Sequence, residues 1–158
     1  MRFWVVVASR EHVSLAVAGS FCQAAHGKLT PLRRLSAGDR VVYYAPRVGL
    51  RSGDRVQAFV ALGEVSDGSI YRISLDGSSV YRRSMHYREV SEVPVRPLLE
   101  RLSMTRGYEP WGFVFRRSLF EITASDHDLL AALMTSPRED IMAPRSAAPN
   151  PRVPAPAA

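Results

Sequence analysis

The segment FCQAAHGK, Phe21 to Lys28, gathers the chain's one cysteine and one lysine beside an aromatic ring, an amide and an imidazole. Such a set could serve several chemistries. Covalent catalysis would take Cys22 as nucleophile and His26 as its base. The two stand four apart in an irregular stretch with no third residue to orient the imidazole, and a buried, inert thiol suits the same sequence. Phosphate cradling requires GxxxxGK followed by Ser or Thr. Here Leu29 follows Lys28, and Cys22 stands where the first glycine belongs. Metal chemistry fares no better. His12, His26, His86 and His127 lack ligand spacing, and one cysteine cannot supply the CxxC of a zinc deaminase. No GxGxxG occurs, and no cofactor or metal is expected.

Recognition chemistry remains. Rings stack on planar bases, amides and backbone groups read base edges, and cations hold phosphates. Phe21, Gln23, His26 and Lys28 lie in the segment itself. Ser9 ends the apolar run before it, and Tyr43, Tyr44, Pro46 and Arg47 end the next one. If those two runs are neighbouring strands, all of these termini meet at one sheet edge. The result would suit a single base taken out of its stack, with Phe21 and Tyr44 stacking and Ser9 and Gln23 hydrogen bonding. Lys28, Arg33, Arg34 and Arg47 would hold phosphates. Each residue also has a plainer use. Phe21 can plug the core, and His26 can bond a backbone carbonyl. Lys28 and Arg47 can be solvated charges, and Trp4 and Trp111 fit a core. Tyr43 and Tyr44 point to opposite faces of a strand, so at most one lines a site.

The elements that must position these groups are legible. FWVVVA (3–8) is apolar and β-branched, as in a strand buried on both faces. Ser9 reads as the N-cap of a helix with Glu11 in its first turn and a stop at Gly19. TPLRRL (30–35) has a capping Thr30 and Pro31 at the first helical position. A turn at 37–39 leads to a strand over 40–45, and another strand covers 56–65. Asp67-Gly68 and Asp76-Gly77 both read as hairpin turns, leading to strands at 70–74 and 80–90. In the latter, Met85 and Tyr87 alternate with polar residues. A short helix is expected near the end of 93–102, a last strand at 118–122, and a helix capped by Ser125 through Met134. Consecutive strands with short turns and flanking helices favour an α+β domain with a curled mixed sheet or open barrel.

The 158 residues suffice for one core, placed at 1–135. The remainder, 136–158, holds six of the eleven prolines and few large apolar groups, the composition of a disordered tail. No apolar run is long enough for a membrane span, and a lone cysteine fits a reducing cytoplasm. A net charge of +6 points to an anionic partner, nucleic acid first.

FWVVVASREHV, GSFCQAAHGK and LRRLSAGDRVVYYAPR, in that order and with the late WGFVFRRSLFEI, resemble the EVE domain family. That family is PUA-like and related to YTH domains. The resemblance implies a curled mixed sheet and a non-enzymatic pocket for a modified base in DNA or RNA, a modified cytosine or similar. By position, Ser9 matches the serine of the family's lysine-serine motif, with Ala8 in place of the lysine. Phe21 falls where YTH domains carry a cage tryptophan, Cys22 on the cysteine after it, and Gln23 and His26 in the same pocket-forming segment. Two other functions use the same residues: hydrolysis by His26 with a carboxylate, for which Glu11 is the nearest in sequence, and sensing of a free nucleotide.

Overall fold

The run FWVVV becomes the central strand β1 (Phe3–Val7) in the computed structural model of the chain, which describes residues 1–136. Trp4, Val5 and Val6 are fully buried because both faces of the sheet are covered. Helix α1 (Arg10–Gly19) starts where expected, the Ser9 hydroxyl accepting the His12 amide hydrogen at 3.2 Å. Its end differs in detail. The left-handed residue is Ser20 (φ 53°), and Gly19 answers to space: a Cβ there would lie 2.7 Å from the Phe21 ring.

The segment after α1 is more ordered than its sequence suggests. Phe21–Cys22 is a short strand, β2, and Ala25–Gly27 a 3₁₀ turn. Helix α2 (Leu29–Leu32) is a single turn with Lys28 at the N-cap position, so neither Thr30 nor Pro31 starts it as expected. Strand β3 (Arg40–Arg47) runs parallel to β1, and β4 (Arg55–Val65) returns antiparallel to β3. Strands β5 (Tyr71–Leu75) and β6 (Ser78–Arg88) form a hairpin across Asp76 and Gly77, both at positive φ. The other expected turn, Asp67-Gly68, makes no hairpin. β4 pairs with β6 instead, and the Arg83 guanidinium donates to the Gly68 carbonyl at 3.3 Å.

Two-residue β7 (Val93–Pro94) joins β4, followed by a 3₁₀ turn at Arg96–Leu98 where a helix was expected. A third 3₁₀ stretch, Trp111–Arg116, leads to β8 (Leu119–Ile122), antiparallel to β1. Helix α3 (Ala124–Thr135) closes the domain. Its cap is Thr123, which accepts from the Asp126 amide at 3.1 Å, and Ser125 lies inside the helix. Asp126 is turned inward rather than toward solvent. Its carboxylate accepts from the Ser103 amide and hydroxyl and the Met104 amide, all within 2.9–3.0 Å.

The strand order is β2-β6-β4-β3-β1-β8, one curled mixed sheet, as an α+β reading requires. Its two faces carry separate cores. One packs Val5, Val42, Tyr44 and Phe59 against α3 and the 111–116 turn. The other packs Trp4, Val6, Val41 and Tyr43 against the segment after α1. Tyr43 and Tyr44 thus face opposite cores, as strand alternation demands. Among the described residues no helix is long and apolar enough to cross a membrane. The Pro-rich tail, apart from Ser136, lies outside the described residues.

Candidate functional site

Parallel strands β1 and β3 end side by side, and the chain leaves both at the same edge. Beyond Val7 the Ala8 amide donates to the Tyr44 carbonyl at 3.1 Å, and the Val7 amide to the Ser118 carbonyl at 3.0 Å. These bonds bring the start of α1, the end of β3 and the entry to β8 together. The Glu11 amide donates to the Val48 carbonyl at 3.0 Å and ties in the loop between β3 and β4. A cavity of about 480 Å³ opens between these pieces. That is the size of sites that hold small ligands, roughly 300–1,000 Å³.

Ala8, Ser9, Pro46 and Arg47 form its base, and Glu11, His12 and Leu15 come from one face of α1. Gln23, Ala25 and His26 make the opposite wall, and Phe115, Arg116 and Arg117 the third. Ala25 (φ 49°) and His26 (φ 59°) are both left-handed, a conformation that costs a non-glycine residue about 1–3 kcal/mol. Strain of this kind beside a cavity marks a wall whose shape is imposed by its surroundings. The Gln23 side-chain oxygen accepts from the Arg82 Nε at 2.9 Å, which leaves its NH₂ group as the free end. Ser9 accepts from the His12 amide and keeps its own hydroxyl hydrogen to donate.

Burial lowers the pKa of His12, outweighing a raising contact with the Gln23 backbone, while Arg82 and His26 push it the same way as burial. Its imidazole is therefore neutral near pH 7, and its Nε2 is buried without a hydrogen-bond partner. Three arginines and Glu11 give the lining a net positive balance. The amides of Glu11 and His12 at the helix start are already bonded, so the cations rather than the helix end are the groups for an anion.

Five of the eleven expected site residues line this cavity: Ser9, Gln23, His26, Pro46 and Arg47. The other six lie elsewhere. Phe21 is 6% exposed, with the Arg82 guanidinium 3.7 Å over its ring and the His12 ring edge-on at 6.2 Å, so the face a base would need is taken. Cys22 is fully buried beside Tyr43, and burial pushes its thiol up to about 11, far from a working nucleophile. Tyr44 stacks on Phe115 at 3.7 Å, and its ring backs the cavity through that contact. Lys28 and Arg33 are exposed outside the lining. Arg34 lies over the Trp4 ring at 4.9 Å and donates to the Leu119 carbonyl at 3.4 Å. Of the two tryptophans read as core, Trp4 is fully buried and Trp111 only half-buried.

Glu11, named above only as the carboxylate nearest His26 in sequence, lines the cavity too, with His12, Leu15, Phe115, Arg116 and Arg117, which the sequence reading did not single out. The first three share a helix face whose signal was Leu15, an apolar residue left 65% exposed. Phe115 and Arg117 arrive through the pairing of β8 with β1, from about a hundred residues away, and no local pattern announces that. Among the described residues no group of three or more His, Cys, Asp or Glu side chains is placed to hold a metal.

The family model of the EVE domain matches residues 2–133. The chain belongs to the EVE domain family. This EVE domain is 41% identical over 139 residues to the UPF0310 protein msl3206 of Mesorhizobium japonicum, covering 86% of this chain and 93% of the relative. It is 37% identical over 127 residues to a UPF0310 protein of Bacillus licheniformis, covering 80% and 86%. Among solved structures it is similar to Rpa0253 from Rhodopseudomonas palustris, with a TM-score of 0.54 at 14% identity over 85% of this chain and 93% of that one. The YTH domain of MmI1 gives 0.52 at 11% identity, over 84% and 94%. At such identities the likeness is one of fold, the PUA-like curled sheet that the EVE domain shares with YTH domains.

Proposed function

We propose that this EVE domain is a non-enzymatic reader whose cavity admits one modified nucleobase turned out of a DNA or RNA strand. The observation that carries the reading is the cavity itself. It has room for a base, the largely buried Phe115 ring, backed by Tyr44, in one wall, a neutral imidazole at His12, and Arg47, Arg116 and Arg117 in its lining. The base lies against Phe115 and His12. The Gln23 NH₂ and the Ser9 hydroxyl donate to its ring or carbonyl acceptors, and Glu11 accepts from an exocyclic amine such as that of cytosine. Arg47, Arg116 and Arg117 take the flanking phosphates, and the likeness in fold to a YTH domain supports the same direction.

The test is affinity for matched single strands with and without a modified base, at several salt concentrations. Phosphate contacts weaken as salt rises, with a slope of about 0.7 per phosphate for single strands. Discrimination by the cavity is expected to survive that weakening. Equal affinity for both strands at every salt concentration ends the modification-reading claim.

A hydrolase is the second reading, because Glu11 does line the same cavity as His12 and His26. Turnover of a nucleic acid or nucleotide that disappears in His26→Ala would establish it over the reader. A free-nucleotide sensor would instead bind a nucleoside as tightly as a strand containing it.

A further inference from the structure

A second cleft, of about 660 Å³, adjoins the first and shares Pro46, Arg47, Phe115 and Arg116 with it. Its own lining adds Trp111, Phe113, Arg55 and Gln57. Two features of this cleft are unexplained by folding alone. Arg47 and Arg55 are direct cross-strand partners in the β3–β4 ladder, and like charges placed opposite each other destabilise a sheet. Among the described residues neither forms a salt bridge, nor does Arg116, so no carboxylate in direct contact neutralises the pair. Gln57 sits at φ 48° where the β3–β4 register shifts. Its side-chain oxygen accepts from the Arg96 Nε at 3.0 Å, and the Arg96 guanidinium lies 5.3 Å from the centre of the Trp111 ring. A strained residue thus fixes an arginine that in turn backs an indole. Phe113, beside it, is 60% exposed with the Arg116 guanidinium 5.2 Å away.

We infer that this cleft binds the nucleotide next to the one in the cavity, on a single strand that passes over the Arg47–Phe115–Arg116 ridge between the two. The inference rests on the nucleobase reading of the first cavity and extends it. The neighbouring base stacks on Trp111 and Phe113, and the phosphate joining the two nucleotides lies between Arg47, Arg55 and Arg116. An anion there converts a like-charge pair into a clamp. Rings serving as a platform beside a cluster of cations form the arrangement that grips single strands without reading their sequence. Because one cleft lies on one side of the cavity, the strand has one gripped neighbour and one loose one.

The experiment uses nine-nucleotide single strands carrying 5-hydroxymethylcytosine or plain cytosine at the centre, with an abasic residue immediately 5′, immediately 3′ or nowhere. Affinities are measured for the wild-type chain, Trp111→Ala and Phe113→Ala; the last changes an exposed ring and spares the core. The abasic residue is expected to weaken wild-type binding about fivefold or more on one side only. That loss should shrink in both variants, as in a double-mutant cycle. Equal losses on both sides, or a loss unchanged in both variants, overturns the inference. If modified strands are preferred but the abasic residue costs nothing, the second cleft fails and the first reading stands. If modified and plain strands bind alike yet the one-sided loss persists, the cleft stands and modification reading fails. If no strand binds, both fall together.

Discussion

Arg55→Gln is expected to stabilise the free domain while weakening its hold on a strand. The like-charge pair Arg47↔Arg55 is held by the β3–β4 register, and Arg47 is further fixed by its bond to the Gly53 carbonyl at 3.3 Å. Arg55 is therefore the cleaner one to neutralise. An unfavourable cross-strand pair costs about 0.2–1 kcal/mol, less when salt screens it. For a domain of this size that corresponds to a rise in Tm of roughly 1–4 °C. On a strand the sign reverses, because Arg55 no longer meets the bridging phosphate. The slope of log affinity against log salt should fall by about 0.7, one phosphate contact. Thermal melts at low and high salt, paired with titrations of a labelled single strand across the same range, measure both effects. The stabilisation should shrink at high salt. A lower Tm together with an unchanged salt slope would refute the reasoning, since the arginine would then support the fold and touch no phosphate.

Other expectations follow from the same structure. Asp126→Ala should cost about 3 kcal/mol in a denaturant melt, because three donors from Ser103 and Met104 lose their charged acceptor at once. The folded pKa of His12 lies below its unfolded value of about 6.5, so the unfolded chain binds the proton first. Its contribution to stability is complete above pH 6.5 and is lost as pH falls from there through the folded value. Proton NMR of the imidazole should show titration below 6.5, and His12→Phe should flatten the stability curve in that range. Cys22, with its thiol pushed up to about 11 by burial, should resist iodoacetamide at pH 8 in the native state. Labelling should keep pace with unfolding as denaturant is added, and rapid labelling of the native chain would contradict its placement.

The parts of the fold legible in sequence were those decided locally. β1 announced itself through an unbroken β-branched run, α1 through the Ser9 cap, and the β5–β6 hairpin through Asp76-Gly77. Where a distant partner decided, local signals misled. Asp67-Gly68 reads as well as Asp76-Gly77, yet β6 displaces β5 from the edge of β4. Phe21 looked like a stacking surface, but its carbonyl accepts from the Tyr87 hydroxyl at 2.7 Å and its ring is covered by Arg82, both from β6. The strand ends at Ser9, Pro46 and Arg47 come together because parallel pairing of β1 and β3 forces them to the same edge. The third wall, Phe115 to Arg117, depends on β8 closing against β1 and had no signal of its own.

The central claim is that one base occupies the cavity at the ends of β1 and β3. Backbone NMR of the labelled domain, titrated with the 5-hydroxymethylcytosine strand, tests it most directly. The amides of Ser9, Gln23, Ala25 and His26 should shift strongly, and the plain strand should move them far less. Shifts absent from those residues and confined to a different face would contradict the account.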